Sequence, residues 1–145
     1  VTRPSMRFVP LKDEHQQATL CLHRTRQGFV EERTAAYNRM RGLLSEFGVV
    51  LPQSPERLRR EIATHLDALP GWIRRCVSDL LEHVGNIEDR LAEYDRAIGE
   101  IARTDERSKR LMKLRGIGPT TASALLASIG AGHDFRNGRQ VAAWI

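Results

Sequence analysis

The sequence predicts an all-α protein: a long antiparallel helical coiled-coil hairpin, then a small helix-hairpin-helix module, with a short extended segment at the N-terminus. Two observations lead to this prediction. Apolar residues recur in alternating steps of three and four between residues 77 and 101, which is the spacing of a coiled-coil seam. Between residues 111 and 126, an apolar helix end runs into a Gly-Ile-Gly-Pro turn and then into a second helical segment.

Charge favours an anionic partner, since the net charge is +5 and the pI is about 9.9. Basic residues exceed acidic ones by eight to five over residues 1–50 and by eight to three over residues 101–145. Residues 51–100 instead carry seven basic against ten acidic residues. We therefore expect a nucleic-acid surface to be built from the two ends of the chain.

The first predicted helix runs from near Lys12 to Phe47. Residues 1–11, which precede it, contain two prolines and a short β-like patch, so they are expected to be an extended linker or a last strand. Gly48 fits a C-terminal cap after the helix. The apolar stripe of the helix comprises Val30, Tyr37, Met40, Leu44 and Phe47.

Arginines occupy other faces of this helix: Arg24, Arg26, Arg33, Arg39 and Arg41. They fit either an ordinary solvated surface or a face that contacts a nucleic-acid backbone. Of these arginines, we expect Arg24, Arg26 and Arg33 to contact nucleic acid.

A short helix is predicted over residues 55–69, because Ser54 and Pro55 resemble an N-cap followed by proline at the first helical position. Pro70-Gly71 then breaks the chain before the seam. The seam residues are Val77, Leu80, Val84, Ile87, Leu91, Tyr94, Ile98 and Ile101. In this register Glu88 and Asp95 fall at e positions and Arg90 at a g position, where interhelical pairing occurs. The partner of the seam is either the first long helix, folded back, or a second subunit, so a homo-oligomer is expected.

The charged stretch from Arg103 to Arg110 is predicted to end the coiled coil, with Thr104 to Arg107 capping a new helix. A helix from Pro119 to about Ser128 follows the glycine turn, and a last helix begins near Asn137. Both glycines of the turn can take positive φ, and Pro119 suits the first helical position.

The free amides of such a turn, with the positive helix end behind them, suit a phosphate oxygen. The alternative is a tight turn without a ligand. The candidate phosphate-binding residues are Lys113, Arg115, Gly116, Ile117, Gly118, Thr120 and Thr121.

No catalytic, metal or cofactor site emerges from the residues. Carboxylates do not converge, the histidines lack ligand spacing, and only His133-Asp134 forms a plausible pair. Cys21 and Cys76 are expected to be free thiols, with a disulfide between them possible. No signal peptide or long apolar run is present in the sequence, so membrane insertion is not indicated.

Several motifs in order resemble the insertion-sequence transposases of the IS-one-ten group, the DEDD-type bridge-RNA-guided recombinases. They lie at residues 6–12, 16–18, 22–26, 39–48, 114–122 and 134–144. The resemblance implies that residues 1–11 end a RuvC-like domain, residues 12–104 form the helical coiled-coil region, and residues 105–145 begin the C-terminal transposase domain.

In that family four acidic metal ligands precede the equivalent of this chain and a nucleophilic serine follows it. The resemblance therefore implies a fragment of a DNA recombinase without its own catalytic centre, whose full-length relatives use a divalent metal such as Mg²⁺. It also implies DNA as partner, a structured guide RNA as a possible one, and a bacterial cytoplasmic, nucleoid-associated location. The competing hypothesis is a helical protein-interaction module without nucleic-acid binding.

Overall fold

The computed structural model describes residues 11–130, 132–133 and 135–144, so nearly all of the predicted extended segment lies outside the described residues. Throughout the described part every regular element is a helix, which confirms the all-α prediction. The α-helices are α1 (Glu14–Ser45), α2 (Pro55–His65), α3 (Gly71–Thr104), α4 (Glu106–Met112), α5 (Pro119–Ile129) and α6 (Gly138–Trp144). A 3₁₀ turn, Leu66–Ala68, follows α2. No helix of the described residues is long and apolar enough to cross a membrane.

The chain packs as two units, and α1 and α3 each contribute to both. One unit comprises residues 25–94, here called the central unit. The other comprises residues 1–24 with residues 95–145 and is called the terminal unit.

Both ends of α1 are closed by local hydrogen bonds. At the start, the Asp13 carboxylate accepts the Gln16 N–H at 2.7 Å and the Gln16 side chain accepts the Asp13 N–H at 3.0 Å. This reciprocal arrangement is a capping box. At the other end Gly48 has φ +77°, and the Val49 N–H donates to the Leu44 carbonyl at 3.0 Å, which is a Schellman cap.

Phe47 does not extend the apolar stripe, and that part of the prediction was wrong. The cap ends α1 at Ser45, so Phe47 lies in the turn and is 48% exposed. The stripe is otherwise confirmed, because Tyr37, Met40 and Leu44 are buried.

One hydrophobic cluster holds the central unit together. It joins the α1 stripe to side chains of α2 and to the first part of the seam on α3. Six of its members are fully buried: Met40, Leu44, Leu58, Ile62, Val77 and Val84. The seam is therefore covered in this unit by other helices of the same chain. Among all the seam positions, Val77, Val84, Ile87, Leu91 and Ile98 are buried, and Leu80, Tyr94 and Ile101 are partly buried.

Polar and aromatic contacts join the same three helices. The Tyr37 hydroxyl on α1 donates to Glu88 on α3 at 3.0 Å, and Arg59 on α2 forms an ion pair with Glu88. Arg90 lies over the Phe29 ring at 5.7 Å. The expected interhelical roles of Glu88 and Arg90 are thus observed within one chain.

In the terminal unit, α5 packs against the first turns of α1. His23 Nε2 lies 3.0 Å from the Ser123 hydroxyl, which is 2% exposed and also donates to the Pro119 carbonyl. A Cβ atom at Gly130 would lie 2.9 Å from the Gln16 amide nitrogen. The end of the Gln16 side chain could move aside, so it is φ +62° at Gly130 that favours glycine at the end of α5.

Replacing Tyr37 with phenylalanine should change how stability depends on alkaline pH. Burial, then the hydrogen bond to Glu88, raises the pKa of Tyr37 above its usual value. The folded chain therefore holds the phenol proton more tightly than the unfolded chain. The resulting stabilisation is complete below the unfolded pKa of about 10 and is lost as pH rises through the folded pKa.

Urea unfolding at several pH values between about 8 and 11 tests this expectation. Tyr37→Phe should also lower the free energy of unfolding at neutral pH by about 1 kcal/mol, since a hydrogen bond to a carboxylate is lost. An unchanged alkaline slope in the variant would contradict the assignment.

Candidate nucleic-acid interface

In the terminal unit, α4 (Glu106–Met112) is followed by a tight turn and then by α5 (Pro119–Ile129), so two helices flank the glycine turn as the sequence predicts. Asp105 caps α4, because its carboxylate accepts the Arg107 N–H at 2.8 Å. At the far end the Lys113 and Leu114 amides donate to carbonyls three residues earlier, at 3.3 and 3.0 Å. These bonds tighten the last turn of α4 and direct the chain into the glycine segment.

The two glycines of the turn have different functions. Gly116 has φ +90°, which L residues rarely adopt, and it lets the chain reverse. Gly118 has φ −93° and ψ 178°, an ordinary extended conformation. The expectation of positive φ is thus confirmed for Gly116 and wrong for Gly118, because Gly118 is the N-cap of α5 and N-caps have extended backbone.

Gly118 leaves the start of α5 uncapped. The first intrahelical bond runs from the Ala122 N–H to the Gly118 carbonyl at 2.9 Å, so the amides of Thr120 and Thr121 precede it. No side chain caps them, and a Cβ atom at Gly118 would meet nothing within 4 Å. Together with Pro119 at the first helical position, this geometry leaves donors and a positive helix end open to an anion.

Exposed basic residues precede this opening in the chain. Lys113 and Arg115 are exposed, and in the described part of the chain neither has an ion pair or a side-chain hydrogen bond. Arg110, one turn earlier on α4, is exposed and unpaired in the same way; sequence reasoning missed it, although its spacing from Lys113 was a usable signal. Thr120 and Thr121 are exposed, whereas Ile117 is half-buried.

Other basic residues of α4 are engaged locally. Arg107 pairs with Asp105 at 2.9 Å and Lys109 with Glu106 at 2.5 Å. The side-chain hydrogen bond from Arg107 lowers the pKa of Asp105, so this carboxylate stays charged at neutral pH. Of the described basic residues from Arg107 to Arg115, those without an acidic partner are therefore Arg110, Lys113 and Arg115, next to the glycine turn.

The arginines predicted on the first helix are divided between the two units. Arg24 is exposed in the terminal unit, whereas Arg26 and Arg33 are half-buried in the central unit. Arg41 has an internal role, because its guanidinium donates to the carbonyls of Pro52 and Gln53. The residues of the glycine turn and Arg24 thus belong to the terminal unit, and Arg26 and Arg33 belong to the central unit.

Charge is also divided between the units. The terminal unit carries thirteen basic and seven acidic residues, and the central unit ten basic and eleven acidic ones. The whole positive excess of the chain therefore belongs to the unit that contains the glycine turn. The described residues contain no group of three or more side chains that could hold a metal ion. Cys21 and Cys76 are exposed and form no disulfide.

Comparison with known proteins matches this region to a family. Residues 108–145 match the profile described as the Transposase IS116/IS110/IS902 family. The resemblance to insertion-sequence transposases is confirmed. The chain is 40% identical over 149 residues to a probable family 20 transposase of Pseudomonas aeruginosa, covering 99% of this chain and 44% of that protein. The matched profile begins within α4 and includes the turn and α5.

Two further transposases align along almost the same span. The transposase for insertion sequence element IS1328 of Yersinia enterocolitica is 35% identical, covering 98% of this chain and 43% of the relative. That for element IS1111A of Coxiella burnetii is 31% identical, covering 99% and 41%. The chain thus spans less than half the length of these transposases. No solved structure matches it.

Alanine substitutions at the two glycines of the turn should differ in their effect on stability. Gly116→Ala should lower the free energy of unfolding by about 1 kcal/mol, because alanine is strained at φ +90°. Gly118→Ala should cost less than this, since alanine fits the extended backbone and has open space, although it is a poorer N-cap than glycine. Denaturant unfolding of both variants measures the difference. Equal losses would show that the turn differs from the one described here.

Proposed function

We propose that this chain is the nucleic-acid-binding segment of an insertion-sequence transposase and that it binds the DNA backbone through the turn between α4 and α5. The open start of α5 at Gly118 is the observation that carries the proposal. A phosphate oxygen there would accept hydrogen bonds from the Thr120 and Thr121 amides. The side chains of Lys113 and Arg115 would add charge at either side.

The exposed basic residues next to the turn also support DNA binding at this surface. A duplex presents phosphates regardless of sequence, and contacts from amides and basic side chains position a protein without reading bases. We therefore expect weak sequence preference and strong salt dependence, with a slope of about −0.9 in log K against log salt for each neutralised phosphate. Structured RNA offers the same phosphates, so a guide RNA is a second substrate compatible with this surface.

We also propose that the chain can self-associate through the seam, but only by exchanging helices between two copies. The central unit already covers Val77 and Val84 with α1 and α2. A second copy could use those positions only by exchanging helices with the first copy. We therefore infer that any dimer formed through Val77 and Val84 is helix-swapped.

The relatives are named as transposases. For the segment alone, we expect that DNA carrying an insertion-sequence end stays intact when incubated with the pure chain and Mg²⁺ or Mn²⁺, because no catalytic carboxylates or nucleophile emerge from its sequence. Denaturing gel electrophoresis of end-labelled DNA measures this. Nicked products at an equimolar ratio of protein to DNA would contradict the expectation.

Substitutions at Gly118 provide the sharpest test of the phosphate site. Asparagine and aspartate are both good N-caps and fit the extended backbone, so Gly118→Asn and Gly118→Asp should preserve or strengthen α5. Both side chains would occupy the amides, but only aspartate would repel a phosphate. Duplex affinity, measured by fluorescence anisotropy at low salt, should fall in the order glycine, asparagine, aspartate, by about tenfold or more for aspartate.

Gly118→Ala is the matched control because it adds a Cβ atom without capping the helix. It should bind DNA within about twofold of the unchanged chain, while circular dichroism confirms equal helicity in all variants. Binding that is the same for glycine and aspartate would place the DNA contact elsewhere. If no variant binds duplex DNA at all, the competing hypothesis of a helical interaction module is favoured.

A further inference from the structure

An open groove of about 650 Å³ lies beside α2 in the central unit and takes no part in the site described above. One wall is the loop that follows α1, and the other is a face of α2. The groove is lined by Val50, Leu51, Pro52, Arg57, Arg60 and Glu61. Its volume falls within the range of pockets that bind small molecules and single nucleotides.

Contacts to the core hold both walls in place. The Arg41 guanidinium on α1 donates to the Gln53 carbonyl at 2.7 Å and to the Pro52 carbonyl at 3.2 Å, which fixes the loop. Leu58 and Ile62 are fully buried and anchor the opposite face of α2 in the hydrophobic cluster. The groove is thus formed before any ligand arrives, and a preformed site loses little conformational entropy on binding.

Two guanidinium groups line this groove without partners. On α2, Arg59 pairs with Glu88 of α3, and Glu61 pairs with His65 at 3.4 Å. Both Arg59 and Glu61 therefore already have a partner. Arg57 and Arg60 are exposed, and among the described residues neither forms an ion pair or hydrogen bond. Residues three apart lie on one helix face with Cβ atoms about 5–6 Å apart.

An apolar surface adjoins these two arginines. The central unit has eleven acidic residues to ten basic ones, so acidic partners are plentiful. Two free guanidiniums nevertheless flank an apolar wall, of which Val50 is 86% exposed. An anionic group joined to an apolar or flat one would satisfy both surfaces at once, since guanidinium binds phosphate in a fixed, bidentate geometry.

We propose that the Arg57–Arg60 groove binds an unpaired nucleotide of a single-stranded nucleic acid. The two guanidiniums hold its phosphate, and the base lies against Val50 and Pro52. In a duplex the bases are paired and stacked inside the helix, so no base is available to pack against the apolar wall of the groove. The inference adds a second site to the proposed function and does not require the α4–α5 turn to bind, because the groove is built from the central unit alone.

The test compares Arg57→Ala/Arg60→Ala with a matched double variant, Arg39→Ala/Arg75→Ala. Both remove two exposed arginine charges from the central unit, but Arg39 and Arg75 do not line the groove. The probes are fluorescent oligo-dT and oligo-rU of about a dozen nucleotides and a blunt duplex of similar length. The readout is anisotropy across a salt series.

We expect Arg57→Ala/Arg60→Ala to weaken both single strands about tenfold and the duplex by less than about twofold. Where both arginines neutralise phosphates, the slope of log K against log salt should become shallower by about 1.4 on single strands. Arg39→Ala/Arg75→Ala should change single-strand affinity by less than about twofold. Equal effects on oligo-dT and oligo-rU would show that the groove does not read the sugar.

Equal weakening by both double variants would overturn the proposal, because only total charge would then matter. Unchanged single-strand binding in Arg57→Ala/Arg60→Ala would overturn it as well. A poly-glutamate peptide that binds as tightly as oligo-dT, and loses the same factor in that variant, would replace the nucleotide with an acidic protein segment.

The same variants placed in the Gly118→Asp background separate the two sites. The groove proposal predicts that Arg57→Ala/Arg60→Ala still weakens single-strand binding there. Loss of duplex binding in Gly118→Asp alone reports only on the turn at α5. Either proposal can therefore fail while the other stands.

Discussion

The apolar seam of α3 needs another apolar surface to cover it, and this requirement organises the central unit. A heptad stripe exposed to water would give up the hydrophobic free energy that makes so long a helix stable. The stripe of α1 and the buried face of α2 supply that cover through Met40, Leu44 and Leu58. Once these three helices are fixed, the polar contacts at Glu88 and the groove beside α2 follow, because both are made by residues on the same helices.

The turn between α4 and α5 depends on a separate constraint, the absence of side chains. Positive φ at Gly116 reverses the chain, and the missing Cβ atom at Gly118 leaves the amides of α5 uncovered. A good capping residue at Gly118 would have made a more stable helix start. The chain instead keeps an unsatisfied start beside Lys113 and Arg115, which is the arrangement that an anion would complete.

Helix periodicity and capping chemistry were predictable because they are local. The helical periodicity of α3, the glycine after α1 and the helix start at Pro55 are all determined by neighbouring residues, and the structure bears these out, although the Ser54 side chain makes no capping hydrogen bond. Phe47 was misplaced because apolar spacing alone cannot show that a Schellman cap ends the helix first. The capping box at Asp13 had a usable signal, glutamine three residues later, since the two side chains exchange hydrogen bonds there.

What the sequence could not show is which charges are paired. Arg59 and Arg60 are neighbours on one short helix, yet one pairs with Glu88 across the fold and the other points to an open groove. Arg41 resembled a surface arginine of α1 and instead secures a loop. Such assignments depend on residues brought together from distant segments, so a basic face read from sequence mixes structural cations with free ones. The free cations beside the α5 start and beside α2 differ from other exposed cations in lying next to a second feature, the uncapped amides of α5 and the apolar wall of the groove.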